Sequence, residues 1–285
     1  MSIELTGRRI SLDGIGLNVI DVGQGPAVLL LHGFPDRALL WRHQITTLAA
    51  AGYRVVAPDL RGFGDSDRPA DVESYRYELV IGDVLGLLDV LGLDRVAVAG
   101  HDLGARVGWT LAGAAPERVS KLAALSVGHP LAIWGAGFAQ RQLSWYMLWF
   151  QFRGVAESQM PVDDWRWFRE WGFDGASRAA DAEIDRQLTD LERPGALTAG
   201  LNWYRANVSP EVFGGNGGLT APPPVQCPVL GVWSDRDMAM TERQMVDSAR
   251  YVAGPWRYER IPGVGHWIPT HAAQRTSDLL LEFFA

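Results

Sequence analysis

With 285 residues, 47% of them hydrophobic, the chain is long enough for one large α/β domain that carries an insertion. A net charge of −7 with a single lysine, Lys121, leaves no basic stripe for a nucleic-acid backbone, and a lone cysteine, Cys227, allows no internal disulfide. No CxxC or HExxH spacing points to a metal, MSIELTGRR has no signal-like apolar run, and Leu143 to Phe150 is far short of the ~20 residues that span a bilayer. The expectation is therefore a cytoplasmic protein without metal, cofactor, membrane or nucleic-acid partner.

Arg8 to Leu12 and Leu17 to Val22 are β-prone runs joined through Asp13 and Gly14, an edge hairpin. Ala27 to Leu31 is a wholly apolar strand that enters the turn His32-Gly33-Phe34-Pro35, ahead of an amphipathic segment from Trp41 to Ala50. Arg54 to Ala57 is the next strand, followed by a glycine-rich loop, Asp59 to Pro69, and a helix from about Tyr77 to Leu91. Val96 to Ala105, VAVAGHDLGA, then reads as a buried strand, a glycine-flanked sharp turn and the start of a helix that reaches Ala115. A strand from Val119 to Ser126 follows.

Between Pro130 and about Phe213 the strand pattern gives way to helical stretches that hold seven of the twelve tryptophans, which predicts a lid with its own small core and a non-polar underside. Packing is the commoner role for a tryptophan, yet a lid over a sheet places some of them on a pocket, and Trp145, Trp149, Trp203 and Trp267 are the candidates. Gly214 to Gly218, followed by Pro222, Pro223 and Pro224, reads as a linker. Val229 to Trp233, Tyr258 to Ile261 and a closing helix near Phe284 complete the alternation. The order predicts a mostly parallel, eight-stranded sheet covered on both faces, with its site at the carboxyl ends of the strands. The core is expected over 1–129 and 214–285 and the helical cap over 130–213.

The chemistry centres on Asp102, at the apex of the glycine-flanked turn. Gly100 and Gly104 let strand and helix approach closely enough to push that side chain into the open. An aspartate between strand and helix is often only an N-cap. A carboxylate in the place of a serine nucleophile, ionised at neutral pH with an ordinary pKa of about 4, instead attacks a saturated carbon and leaves an ester for water to hydrolyse. The water needs a base, and His266 in Gly263-Val264-Gly265-His266-Trp267 follows the last strand. His43 and His271 fall on surface helices, His32 and His101 in turns that favour structural roles, and His129 at the start of the lid. Asp237, with Asp235 in reserve, follows the strand ending at Trp233, where a solvated loop carboxylate is the bland alternative. After the preceding strand, Gly128-His129-Pro130 offers no acid. The order Asp102, Asp237, His266 fits the α/β-hydrolase arrangement, with the backbone N–H groups of Phe34 and Leu103 facing the oxyanion of ester hydrolysis.

Ser144 to Gln151 (SWYMLWFQ) with Gly154 to Glu157, and Asn202 to Arg205 (NWYR), closely resemble the two lid motifs of the soluble epoxide hydrolases. The likeness extends over nearly the whole chain, including His32 to Pro35, Asp59 to Ser66 (DLRGFGDS), the elbow and Gly265-His266-Trp267. It implies an α/β-hydrolase fold and conversion of an epoxide to a vicinal diol through an Asp102 ester, with Tyr146 and Tyr204 hydrogen-bonding the epoxide oxygen. A phenol, protonated at pH 7, suits that task because the opening ring becomes an alkoxide. Two departures stand out: Leu103 replaces a common tryptophan, and Phe152-Arg153 replaces the usual Glu-Pro. A haloalkane or haloacid dehalogenase with the same Asp-His-Asp set is the nearest rival, although Leu103 offers a departing halide no indole. A non-catalytic binding protein on the same scaffold is the rival of another class. The aromatic lid points to a bulky hydrophobic epoxide, of the kind a secondary metabolite carries, and a homodimer is compatible with the sequence.

Overall fold

The computed structural model describes residues 5–173, 181–214 and 223–285. Among them eight strands form one sheet: β1 (Arg8–Leu12), β2 (Ile15–Val22), β3 (Ala27–Leu31), β4 (Arg54–Pro58), β5 (Val96–His101), β6 (Val119–Leu125), β7 (Val229–Ser234) and β8 (Trp256–Ile261). Their spatial order is β1-β2-β4-β3-β5-β6-β7-β8, and only β2 runs against the rest. β3 (AVLLL), β5 (VAVAGH) and β7 (VLGVWS) are buried along nearly every residue, as parallel strands covered on both faces must be. The edge strand β1 instead alternates, burying only Ile10. The second strand starts earlier than its apolar run because Gly14, at φ 75°, turns the chain tightly enough for Leu12 to pair with Ile15.

Helices α1 (Arg42–Ala50), α2 (Tyr77–Val90) and α3 (Leu103–Ala114) connect the first strands, and a 3₁₀ turn at Ala38–Trp41 leads into α1. Between β6 and β7 lies a helical insertion: α4 (Pro130–Gly135), α5 (Phe138–Leu143), α6 (Trp145–Trp149), α7 (Val155–Gln159), α8 (Val162–Gly172), α9 (Ala182–Leu191), α10 (Ala196–Asn207) and α11 (Pro210–Gly214). Then come α12 (Glu242–Asp247), α13 (Ile268–His271) and α14 (Ala273–Phe284). Most of the Gly/Pro run read as a linker lies outside the described residues. No helix among the described residues is long and apolar enough to cross a membrane.

The insertion has its own buried aromatics, Phe150, Trp165, Phe168 and Trp203, and is tied to the sheet by polar bonds. Trp203 Nε1 donates to the Arg61 carbonyl at 3.1 Å, Asn207 Nδ2 to the Tyr75 carbonyl at 2.9 Å, and Arg193 pairs with Asp65 at 2.7 Å. Asp36, buried after β3, accepts from Arg186 and Gln187 of α9.

α3 lies so close to the sheet that a Cβ at Gly104 would stand 2.1 Å from the Leu31 carbonyl oxygen, and one at Gly100 would stand 2.3 Å from the Gly104 carbonyl oxygen. Both obstacles are backbone, which cannot swing aside. Gly104→Ala is therefore expected to destabilise the protein by about 1–3 kcal/mol or more, as overpacking does. Gly82→Ala, on the exposed face of α2 with nothing within 4 Å, should raise stability by about 0.5–1 kcal/mol. Denaturant titrations of the two variants check the contrast.

Candidate active site

Asp102 sits between β5 and α3 with φ 52° and ψ −121°, a conformation that costs a non-glycine residue about 1–3 kcal/mol. It occupies the N-cap position of α3, yet its side chain makes no capping hydrogen bond. Instead the carboxylate turns toward the β3 side, where Oδ1 accepts from the Phe34 N–H at 2.9 Å. Gly33 leaves room for this, since a Cβ there would stand 2.3 Å from Oδ1. Burial alone would raise the Asp102 pKa, but the His266 ring outweighs it, helped by His101 and the Leu103 N–H, and holds the carboxyl below its ordinary range.

The loop after β8 brings His266 over Asp102. Its Nε2 lies 3.5 Å from Asp102 Oδ2, and its Nδ1 donates to Asp237 Oδ2 at 2.9 Å. Asp237 Oδ1 also accepts from the Ala239 and Met240 N–H groups at 2.9 and 3.0 Å. Asp235 points elsewhere, accepting from the Gly263 N–H at 2.6 Å and lying 3.6 Å from Arg260. Burial lowers the His266 pKa, but the charge of Asp237 and the hydrogen bonds to both carboxylates outweigh it and carry the value up to about 10. Ser126 Oγ and His101 Nε2 donate to the His266 carbonyl at 3.0 and 2.9 Å, and Ser234 Oγ donates to that of Gly265 at 2.8 Å. These three side chains fix the loop, and nothing in the sequence pattern singled out the two serines.

The other histidines have structural partners or exposed positions. His32 Nδ1 donates to the Gly33 carbonyl and its Nε2 accepts from the Leu60 N–H, which fixes a neutral tautomer. Burial pushes His101 down to about 4 and His129 to about 3. His129 caps α4 through the Leu131 N–H at 3.3 Å, while His43 and His271 are exposed.

Tyr146 of α6 and Tyr204 of α10 bring their rings together at 5.8 Å between centroids, both buried. Burial first, and then the Asp102 charge, pushes each phenol well above its ordinary pKa of 10, so both stay protonated. No described residue engages either hydroxyl in a hydrogen bond. A narrow cavity is walled by Asp102, His266, Tyr146, Tyr204, Phe34 and Trp267. Asp102 and Tyr204 also face a second, larger cavity, with Leu103, Trp203 and Met147.

Trp203 and Trp267 thus line these cavities, whereas Trp145 and Trp149 do not. On α6, Tyr146 and Phe150 turn inward, so Trp145 and Trp149, each one residue earlier and about 100° away, face an outer cleft with Gln159 and Arg166. Sequence reading missed Phe168, Trp171, Met238 and Met240 as cavity walls. For Phe168 and Trp171 the only signal was their place in the aromatic lid.

The chain resembles known proteins along nearly its whole length. The alpha/beta hydrolase fold family matches residues 26–270. Epoxide hydrolase A of Mycobacterium tuberculosis is 32% identical over 98% of this chain and 97% of its own, and epoxide hydrolase B of the same organism is 30% identical over 91% of each. A crystal structure of Bacillus megaterium epoxide hydrolase with an inhibitor superposes with a TM-score of 0.87 at 27% identity, covering 97% of this chain and 99% of that one. With its mostly parallel eight-stranded sheet and helical insertion, the chain belongs to the α/β-hydrolase fold and, within it, to the epoxide hydrolase family.

Proposed function

We propose that the chain hydrolyses a hydrophobic epoxide to a vicinal diol through a covalent ester on Asp102, with residues 130–213 as a cap over a core of 1–129 and 214–285. The observation that carries this reading is the pairing, across one cavity, of a buried carboxylate with two unengaged phenols. A carboxylate attacks carbon, and a phenol supplies the proton that an opening epoxide oxygen takes up.

In the first step an Asp102 oxygen attacks an epoxide carbon, the carbon–oxygen bond of the ring breaks, and the oxygen takes a proton from Tyr146 or Tyr204. The ester removes the negative charge from Asp102, and with it one of the two carboxylates that keep His266 protonated. The imidazolium then releases its proton to the tyrosinate and becomes a neutral base, oriented by Asp237. In the second step His266 takes a proton from water, whose oxygen attacks the Asp102 carbonyl carbon. The N–H groups of Phe34 and Leu103 receive the oxyanion, and collapse expels the diol oxygen, which is protonated as Asp102 returns to its carboxylate. Side chains and water carry every proton.

Tyr146→Phe and Tyr204→Phe are each expected to slow ring opening tenfold or more, since one charge-stabilising donor is worth about 2.7–4 kcal/mol, and the double variant should nearly abolish it. Single-turnover epoxide consumption measures this, and a double variant at the wild-type rate would remove the tyrosines from the mechanism. His266→Gln spares the first step and blocks the second. Intact-mass and peptide analysis should then find an adduct of the epoxide's mass on the Asp102 peptide, with little diol. Rapid diol formation without an adduct, or halide release from haloalkanes at a rate comparable to epoxide opening, would contradict the reading.

A further inference from the structure

The larger cavity beside Asp102 is apolar along Val127, Ile133, Trp134 and Val212, but one arginine, Arg106, reaches its wall. Arg106 lies one helical turn along α3 from the nucleophile, its N–H bonded to the Asp102 carbonyl at 3.1 Å. The side chain is half-buried, and its guanidinium stands 4.9 Å over the face of Tyr77, which lines the same cavity. Among the described residues no carboxylate comes within ion-pair distance of it: Glu78, on α2, is exposed and farther off, and His129, across from it at the start of α4, is neutral at pH 7. Asn207, also on the wall, is already engaged, its amide donating to the Tyr75 and Trp203 carbonyls and its oxygen accepting from the Tyr77 N–H. Tyr77 meets the guanidinium with both its ring and its hydroxyl but does not neutralise it, and a guanidinium does not shed its proton, so the charge is left for an anion to balance.

We propose that Arg106, with the Tyr77 hydroxyl, forms an anion subsite, and that the substrate is an epoxide bearing a carboxylate, with its reacting carbon over Asp102 and its carboxylate on Arg106. This assignment rests on the epoxide-opening reading of Asp102. The planar fork of a guanidinium matches the two oxygens of a carboxylate. One guanidinium and one phenol suit a monoanion, whereas a phosphate dianion calls for more donors than this wall supplies. The arginine also offsets the repulsion that a substrate carboxylate feels from Asp102, which an all-apolar cavity would leave uncompensated. Arg106 thereby determines specificity, while the bond-making groups stay as described.

The test is a matched pair of terminal epoxides, one ending in a carboxylate and the other in the primary amide of the same chain length, compared over a series of lengths. The wild-type protein should favour the acid at its best length by tenfold or more in kcat/KM. Arg106→Gln should collapse that ratio to about one or below, and Arg106→Lys, which keeps the charge but not the fork, should retain part of it. Calorimetric binding of octanoate against octanamide to the wild-type protein tests the subsite without turnover and without depending on how the variants fold: the acid should bind at least tenfold more tightly. Equal kcat/KM for acid and amide, or a ratio unchanged in a folded Arg106→Gln, or equal binding of the two octyl ligands, would overturn the proposal. Selective octanoate binding with neither epoxide opened would support the subsite and instead contradict the epoxide-opening reading.

Discussion

One imidazole held between two buried carboxylates organises this molecule. His266 reaches Asp237 through Nδ1 and Asp102 through Nε2, and its raised pKa records the combined pull of both charges. The two carboxylates are not equivalent. Asp237 is fixed in place by the imidazole and two backbone N–H groups. Asp102 has one oxygen on the Phe34 N–H and the other facing His266 Nε2 at a longer 3.5 Å, so it is held less tightly than Asp237. The strained backbone at Asp102, permitted by close packing at Gly33, Gly100 and Gly104, is the cost of that placement.

The site is complete only when the helical insertion lies on the sheet, because both phenols come from the insertion and both carboxylates from the strand ends. Asp36 joins the two layers. Its buried carboxylate accepts from Arg186 and Gln187 of α9 and also from Nε1 of Trp267, the neighbour of His266. The placement of the insertion and the position of the imidazole are thus linked through one side chain. The Trp267 ring also stacks on Phe173 of the insertion at 4.2 Å. An apolar cavity closed in this way strengthens every charge–dipole contact within it, those of the two phenols included.

Much of this was legible in the chain itself. Uniformly apolar β3, β5 and β7 announced a parallel sheet covered on both faces, and Gly100-His101-Asp102-Leu103-Gly104 announced the elbow. Asp237 and Asp235, two residues apart in one loop, differ only in where that loop aims them, and no local pattern encodes the aim. The tyrosines stand in runs of aromatics whose sequence is equally that of a small core, so only their likeness to known lid motifs set them apart. Composition gives no helical phase, so it does not separate Trp145 and Trp149 from a pocket wall, whereas the phase of α6 turns Tyr146 inward in their place. Ser126 and Ser234 hold the His266 loop through contacts across 140 and 31 residues, distances at which spacing carries no information.

The central claim is that Asp102 forms a bond to carbon and does not merely deprotonate a water molecule. Both routes yield the same diol, so the fate of the oxygen separates them. A single turnover with enzyme in excess, run in heavy-oxygen water, should give a first diol whose new oxygen is unlabelled and comes from Asp102, with the label recovered in the Asp102 carboxylate. Label in that first diol, with none in the Asp102 peptide, would contradict the account.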